Sequence, residues 1–358
     1  MRGLNLFKWS VSGALLCYLL FDAKRRDPQM FDTFWTHPKD WWLLSAASIV
    51  SLAAVMLTFV RWHLLLRALD IRITLRSTLR LGMIGYCCSL APLGMLGGDG
   101  VKALLAGRED PKRRLAAVAS VLVDRAVGVY ALFLLASLGA VLVRPWDAPS
   151  RSVLAISIAM IGITVLASAG VAVFLRPGRV NSIFHRAVVR IPRIGGHMCS
   201  LLASAQMYRR QPRALAVTTT ISVIVHLLFG VSLYLVARAM YDTVLPLFKY
   251  LAIAPISGTA VLVPLPFGPF EAVFEHLHAN MMCSGGSLMG AGQGLLIAFG
   301  YRALTVGIAA IGGCAFLLSD RGSRLTEINS ARLVPPASEA AQVSYKSVHS
   351  REEAGWSQ

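Results

Sequence analysis

Long runs of apolar residues, separated by short polar segments, extend through most of the chain. A helix needs about 20 mostly apolar residues to cross a bilayer. Six runs approach or exceed this length and predict membrane-spanning helices: 4–21, 41–66, 115–143, 153–175, 214–240 and 292–318. We therefore predict an all-α polytopic membrane protein with about six full spans, whose membrane domain comprises residues 1–320.

Two further apolar runs, 79–98 and 251–270, are interrupted by prolines and glycines. Bilayer lipid cannot satisfy the backbone groups that such breaks set free, so broken segments occur only where protein or a water-filled cavity receives them. This pattern favours two re-entrant helical segments, which enter the membrane and return to the same face. Two ordinary spans are the alternative.

The composition excludes an ordinary soluble protein. Only 15% of the 358 residues are charged, 56% are hydrophobic and the mean hydropathy is +0.61, whereas soluble domains carry about 25% charged residues. Arg2 and Lys8 precede the first apolar run, as in a signal peptide, but no small-residue cleavage site follows it. We interpret this run as a retained signal-anchor helix.

The positive charge is concentrated in three loops. Residues 67–81, 102–114 and 176–213 together carry a net charge of +14 out of +17, whereas the other loops are close to neutral. The positive-inside rule places the three basic loops in the cytoplasm. We therefore expect an inner-membrane protein with cytoplasmic termini. Both loops next to segment 79–98 are then cytoplasmic, and both loops next to segment 251–270 are external. The two re-entrant segments are therefore expected to enter the membrane from opposite faces.

The two broken segments also share a spacing. Asp99 follows Pro92 by seven residues, and Glu271 follows Pro264 by seven. Each segment lies between two long apolar helices, so residues 41–143 and 214–318 are candidate halves of an inverted repeat, an arrangement found in many transporters. Residues 321–358 are polar and lack periodicity, which predicts a disordered cytoplasmic tail.

Four charged residues at membrane depth are the main candidates for chemistry: Asp99, Arg125, Glu271 and Arg302. A charge at the bilayer centre costs about 2.5–3.5 kcal/mol on insertion scales, so such residues usually pair and face a cavity. Asp99 with Arg125, and Glu271 with Arg302, are the obvious pairs, and cross-pairing between the halves is equally allowed.

We interpret these residues as lining a polar cavity that holds an anionic group. Guanidinium groups match phosphate geometry, and Gly97, Gly98 and Gly268 are expected to present backbone N–H groups at helix starts. The alternative is that each acid–arginine pair only clamps its re-entrant segment to the next helix. Two other arginines, Arg61 and Arg238, lie near helix ends and are expected to extend their charges to the membrane surface.

Other chemistry is not indicated. His226 lies in the middle of a helix, where we favour a hydrogen-bonded bundle histidine over a proton relay. His276 and His278 have no third ligand spaced to join them, and the six cysteines are scattered. No nucleophile is paired with a base, so we expect no enzyme activity, no cofactor and no metal. The basic charge is accounted for by loops, which argues against a nucleic-acid partner.

The chain resembles the transmembrane region of lysylphosphatidylglycerol synthase, a family also described as flippase-like. The resemblance covers roughly residues 5–318 and rests on three motifs: Pro92…Gly97-Gly98-Asp99-x-x-Lys102, the segment 117–125, and Pro264…Gly268-x-x-Glu271. The family usually has Arg at the position of Lys102, and Pro-Gly-Gly at 264–266. It implies a domain that moves a lipid between leaflets, and it adds Lys102 to the candidate site. The aminoacyl-transferase domain of the named member is absent from these 358 residues.

These observations together predict a flippase-like transporter of an anionic lipid or a lipid-linked head group. Its expected partner is the anionic head group of a membrane lipid, with an envelope-biosynthesis enzyme as a further candidate. The alternative is a non-catalytic scaffold for an enzyme that makes envelope lipids or lipid-linked glycans.

Overall fold

The computed structural model describes residues 2–89, 94–142, 151–175, 206–263, 265, 267–282 and 288–317. Within this part the secondary structure is helical apart from one isolated β-bridge, so the all-α prediction is confirmed. The α-helices are α1 (Arg2–Arg26), α2 (Met30–Thr36), α3 (Trp41–Ala68), α4 (Leu75–Cys88), α5 (Gly94–Glu109), α6 (Arg114–Leu142), α7 (Arg151–Leu175), α8 (Pro212–Met240), α9 (Leu247–Thr259), α10 (Pro269–Ala279) and α11 (Gln293–Leu317).

Five helices of the described part, α3, α6, α7, α8 and α11, are long and apolar enough to cross a membrane. Their ends agree with the predicted spans to within two residues, because each span is a local run of apolar residues bounded by polar ones. Helix α1 covers the sixth predicted span but is not one of these five. The predicted tail, residues 321–358, lies outside the described residues.

Helices α3 and α8 form the central pair of the membrane domain. The hydroxyl groups of Ser51 and Ser232 lie 2.7 Å apart, and Ser232 also donates to the carbonyl oxygen of Ala47 at 3.0 Å. All three residues are fully buried. Small residues allow two helix backbones to approach closely, and paired hydroxyls satisfy each other where no water is present.

The two ends of this pair establish that α3 and α8 are antiparallel. At one end, the side-chain amide of Gln211, which precedes α8, donates to the carbonyl oxygen of Ala68 at 3.1 Å. At the other end, the backbone N–H of Asp40, which precedes α3, donates to the carbonyl oxygen of Ala239 at 3.0 Å. The opposite directions expected for these two helices are therefore present.

Each broken segment consists of two short helices. Helices α4 and α5 contain 14 and 16 residues, and α9 and α10 contain 13 and 11. At 1.5 Å per residue each is about 17–24 Å long, which is less than the hydrocarbon thickness of about 30 Å. Pro255 lies inside α9, so it does not form the break, and Pro269 begins α10. Pro92, Pro264 and Pro266 lie outside the described residues.

The element order is the same in both proposed halves. A long helix, two short helices and a second long helix follow one another as α3, α4, α5 and α6, and again as α8, α9, α10 and α11. Helix α4 also packs against α11, where Gly312 and Gly313 leave room for Met83 and Cys87. The first broken segment thus contacts the helix that carries Arg302.

Candidate functional site

Asp99 and Arg125 form a two-pronged ion pair between α5 and α6. The Nε and a terminal nitrogen of the guanidinium donate to different carboxylate oxygens, and the second of these bonds measures 2.7 Å. The Asp99 side chain is 15% exposed and that of Arg125 is 39% exposed. The acid is therefore mostly enclosed, and the Arg125 side chain is the more accessible of the two.

Glu271 and Arg302 form the second pair, between α10 and α11. Arg302 donates twice to one carboxylate oxygen, at 2.9 and 2.7 Å, and the other oxygen accepts the backbone N–H of Gly268 at 2.8 Å. Glu271 is fully buried. The guanidinium also lies over the rings of Phe267 and Phe270, at 5.4 and 5.8 Å from their centroids. The sequence allowed pairing within each half or between the halves. In the structure each acid pairs with the arginine of its own half.

The structure corrects the role expected for the glycines. Helix α5 begins at Gly94, so Gly97 and Gly98 lie inside it and not at its start. Gly97 is half-buried. A Cβ at Gly98 would overlap the carbonyl oxygen of Gly85, so Gly98 allows α4 and α5 to pack closely. Gly268 does precede a helix, but its N–H already donates to Glu271.

Lys102 is a buried cation on α5, one helical turn after Asp99. Its side chain is enclosed by aromatic rings, with Nζ 5.3 Å from the centroid of Phe59 and 5.8 Å from that of Trp62, and the residue is 8% exposed. Gly85 leaves the space that its stem occupies. Among the described residues, its ammonium group has neither an ion pair nor a hydrogen bond.

A third ion pair, which the sequence analysis did not identify, joins α3 to α6. Arg61 donates from Nε to Asp124 at 2.7 Å and from a terminal nitrogen to the hydroxyl of Ser222 at 2.8 Å. The expectation that Arg61 extends to the membrane surface is therefore wrong, because the residue is only 6% exposed. Its position near a helix end suggested an outward charge, but α3 is packed on α8 there. Arg238 is exposed, as expected.

Gly128 and His226 complete this polar layer. A Cβ at Gly128 would lie 2.9 Å from a guanidinium nitrogen of Arg61, so the glycine provides space for that group. The carbonyl oxygen of Gly128 lies 3.0 Å from Nε2 of His226. His226 is thus the hydrogen-bonded bundle histidine that we favoured. The only sequence signal for the layer was an acid, Asp124, beside Arg125 in an apolar run.

The two halves differ in charge. Arg61, Arg125, Asp99 and Asp124 all lie within electrostatic range of Lys102, so three basic side chains share two carboxylates. The pair in the second half, Glu271 with Arg302, is neutral as a unit.

The described residues contain no group of three or more His, Cys, Asp or Glu side chains that would suit a metal ion. Of the two histidines considered above, His276 lies 2.7 Å from the hydroxyl of Ser152 through Nε2, and His278 lies 3.2 Å from that of Tyr250. Both histidines are thus engaged within the protein by one ring nitrogen.

Comparison with curated proteins finds no match. A family model does match, and it covers residues 5–313, which include every ion pair described above. The chain therefore belongs to the family of the lysylphosphatidylglycerol synthase transmembrane region.

Proposed function

We propose that the protein is a carrier, not an enzyme, which moves an anionic lipid or lipid-linked head group across the cytoplasmic membrane. Membership of the family supports an integral membrane protein connected with lipid metabolism or transport. The observation that carries the more specific proposal is Lys102, a buried residue whose ammonium group has no ion-pair partner among the described residues.

Electrostatics explains why this cation favours an anionic ligand. Removing a charge from water costs several kcal/mol, and the cost is offset only when an opposite charge arrives. Asp99 and Asp124 are already bound by Arg125 and Arg61. A phosphate group would supply the missing charge to Lys102, and Arg125, which lies within electrostatic range of Lys102, has a guanidinium that suits phosphate oxygens. The acyl or prenyl chains would remain in the lipid.

The proposal includes re-entry of both broken segments. Their helices are each shorter than the bilayer core, and the contacts near their outer ends favour return to the starting side. Arg113, just after α5, donates to the carbonyl oxygen of Leu69, in the loop between α3 and α4. Lys249 at the start of α9 donates to that of Met282, just after α10. Such segments place a polar site at membrane depth without a full span.

A scaffold function is the second candidate. The pairs Asp99–Arg125 and Glu271–Arg302 each connect a short helix to the long helix that follows it, which is what a purely structural clamp requires. In that case the protein would assist an enzyme that makes envelope lipids or lipid-linked glycans, and none of these charges would touch a lipid. The excess of basic over acidic side chains near Lys102 favours the carrier.

Lipid movement in proteoliposomes tests the proposal. We expect Lys102→Gln to reduce movement of a fluorescent anionic phospholipid at least tenfold, and Lys102→Arg to retain most of it, because Arg keeps the charge. Arg108→Gln is the matched control, since Arg108 lies on the same helix but is exposed. Asp99→Asn and Arg125→Gln should also abolish movement in folded protein. Equal activity of Lys102→Gln and Arg108→Gln would overturn the carrier proposal.

Topology is tested by labelling with a membrane-impermeant thiol reagent in a cysteine-free background. Single cysteines at Ser77 and Glu109 should both react from inside, and those at Thr243 and Gly290 should both react from outside. A cysteine added at either terminus should react from inside. If either pair reacts from opposite sides, the segment between its members is an ordinary span and re-entry is wrong.

A further inference from the structure

A cavity of about 540 Å³, open to its surroundings, lies where the three basic loops meet. Its walls come from the residues just after α3, from the turn before α6 and the first residues of α6, and from the segment before α8: Leu69, Asp70, Pro111, Lys112, Arg113, Arg114, Leu115, Ala116 and Met207. Residues far apart in the sequence thus share one site. No residue proposed above for lipid transport lines it.

The cavity is built on the last carbonyl groups of α3, which have no partner within the helix. Arg113 donates to the carbonyl oxygen of Leu69 at 2.5 Å, and the hydroxyl of Tyr208 donates to that of Leu65 at 2.9 Å. Gln211 satisfies a third carbonyl nearby. Arg113 belongs to one basic loop, and Tyr208 and Gln211 belong to another, so two of the three loops are hydrogen-bonded to the same helix end.

Cations dominate the polar part of the wall. Arg113 lies 3.9 Å from Asp70, so those two charges offset each other. Lys112 and Arg114 are exposed and make no ion pair with any described residue. The stem of Arg114 packs against Gly107 of α5, where a Cβ would lie 3.3 Å from it. The cavity therefore carries two positive charges that are not compensated.

The remaining wall is apolar and accessible. Leu115 is 39% exposed and Met207 is 44% exposed. Two uncompensated cations beside exposed apolar side chains match an amphiphile that has an anionic head and a hydrocarbon part. A free phosphate ion would use the cations but would gain nothing from Leu115 or Met207.

We propose that this cavity binds the phosphodiester head group of an anionic phospholipid from the adjoining leaflet. Lys112 and Arg114 contact the phosphate, while Leu115 and Met207 contact the glycerol and the first methylene groups. The bound lipid would be resident and separate from the carried one, because the cavity shares no residue with the site around Lys102.

Binding of short-chain lipids to the full chain in detergent tests this inference. Dioctanoyl phosphatidylglycerol should bind, whereas dioctanoyl phosphatidylcholine should bind at least tenfold more weakly. The double variant Lys112→Gln/Arg114→Gln should weaken phosphatidylglycerol binding about 10- to 30-fold, since each basic residue contributes roughly fivefold near an anionic lipid. The charge-conserving variant Lys112→Arg/Arg114→Lys should keep affinity within about threefold.

The matched control is Arg72→Gln/Arg76→Gln, which removes two exposed charges from a basic loop without touching the cavity. It should change affinity less than twofold. Equal losses in both double variants would mean that only the general surface charge attracts lipid, and would overturn the proposal. Competition by inorganic phosphate as strong as that by the lipid would overturn the lipid assignment. Circular dichroism establishes that each variant is folded.

Discussion

Arg61 on α3 and Asp124 on α6 lie 2.7 Å apart, and each side chain is only 7% exposed. The two helices are therefore joined by charges that are almost fully enclosed in the protein. Removing one partner of a buried ion pair leaves the other charge without compensation, which typically costs about 3–5 kcal/mol. The pair links α3 to α6 within the first half of the protein. The hydrogen bond from Arg61 to Ser222 links the pair to α8 in the second half.

We expect Asp124→Asn to lower the free energy of unfolding in detergent by about 3–5 kcal/mol. Asp22→Asn is the control, because Asp22 pairs with Arg26 on the surface, where ion pairs contribute about 0–1 kcal/mol. Denaturant titration followed by circular dichroism measures both. Equal effects would show that the Arg61 site is open to water.

Close packing between α4 and α5 predicts that Gly98→Ala destabilises the first broken segment. The added methyl group would overlap the carbonyl oxygen of Gly85 and lie 3.0 Å from the Cβ of Ser89. We expect a loss of about 1–3 kcal/mol from overpacking. Gly100→Ala, two residues further along the same helix and in open space, should be neutral or stabilising by up to about 1 kcal/mol, since alanine favours helix. A loss at both positions would contradict this explanation.

Two separate factors, backbone conformation and packing, favour glycine at position 268. Its φ of +106° is unfavourable for residues with a Cβ, and that atom would lie 2.5 Å from the side chain of Leu15 on α1. Gly268→Ala should lower stability by about 1–3 kcal/mol. Adding Leu15→Ala to this variant should relieve the overlap but not the strain, so only partial recovery is expected in thermal unfolding. Gly290→Ala, where nothing lies within 4 Å, should have little effect.

The carboxylate of Glu275 caps the start of α11. It accepts the backbone N–H groups of Gly292 at 2.6 Å and Leu295 at 2.8 Å. Burial nevertheless raises the pKa of Glu275 above its ordinary value, and these two hydrogen bonds oppose the shift only in part. The protonated form is thus favoured by folding.

A raised pKa has a definite consequence for stability. The contribution of Glu275 is fully present below its unfolded pKa, about 4.3, and is lost as the pH rises through the higher folded value. Relative to Glu275→Gln, which does not titrate, the wild-type protein should be more stable at pH 4 than at pH 8. Unfolding of both proteins at these two values measures the difference. A difference of the opposite sign would mean that the hydrogen bonds outweigh burial.

The five apolar spans and the short-helix pairs were predictable because their signals are local. A long run of apolar residues favours the bilayer wherever it lies in the chain. Prolines and glycines interrupt a helix because they remove or release backbone hydrogen-bonding groups. For Asp99 and Glu271 the sequence reduced the partners to Arg125 and Arg302 and left cross-pairing between the halves equally allowed. The structure pairs each acid with the arginine on the helix that follows it.

The sequence by itself determined the fold class, the boundaries of five spans and the charged residues at membrane depth that are candidates for pairing. Only the tertiary structure decided which charges meet across distant helices. Arg61 and Asp124 are 63 residues apart, and their contact depends on how α3, α6 and α8 pack. The same packing leaves Lys102 without an acid among the described residues, and it gathers the three basic loops at the end of α3. Such contacts depend on how the helices rotate and cross. The pattern of residues along the chain specifies where each helix begins and ends, but not its rotation or its crossing angle.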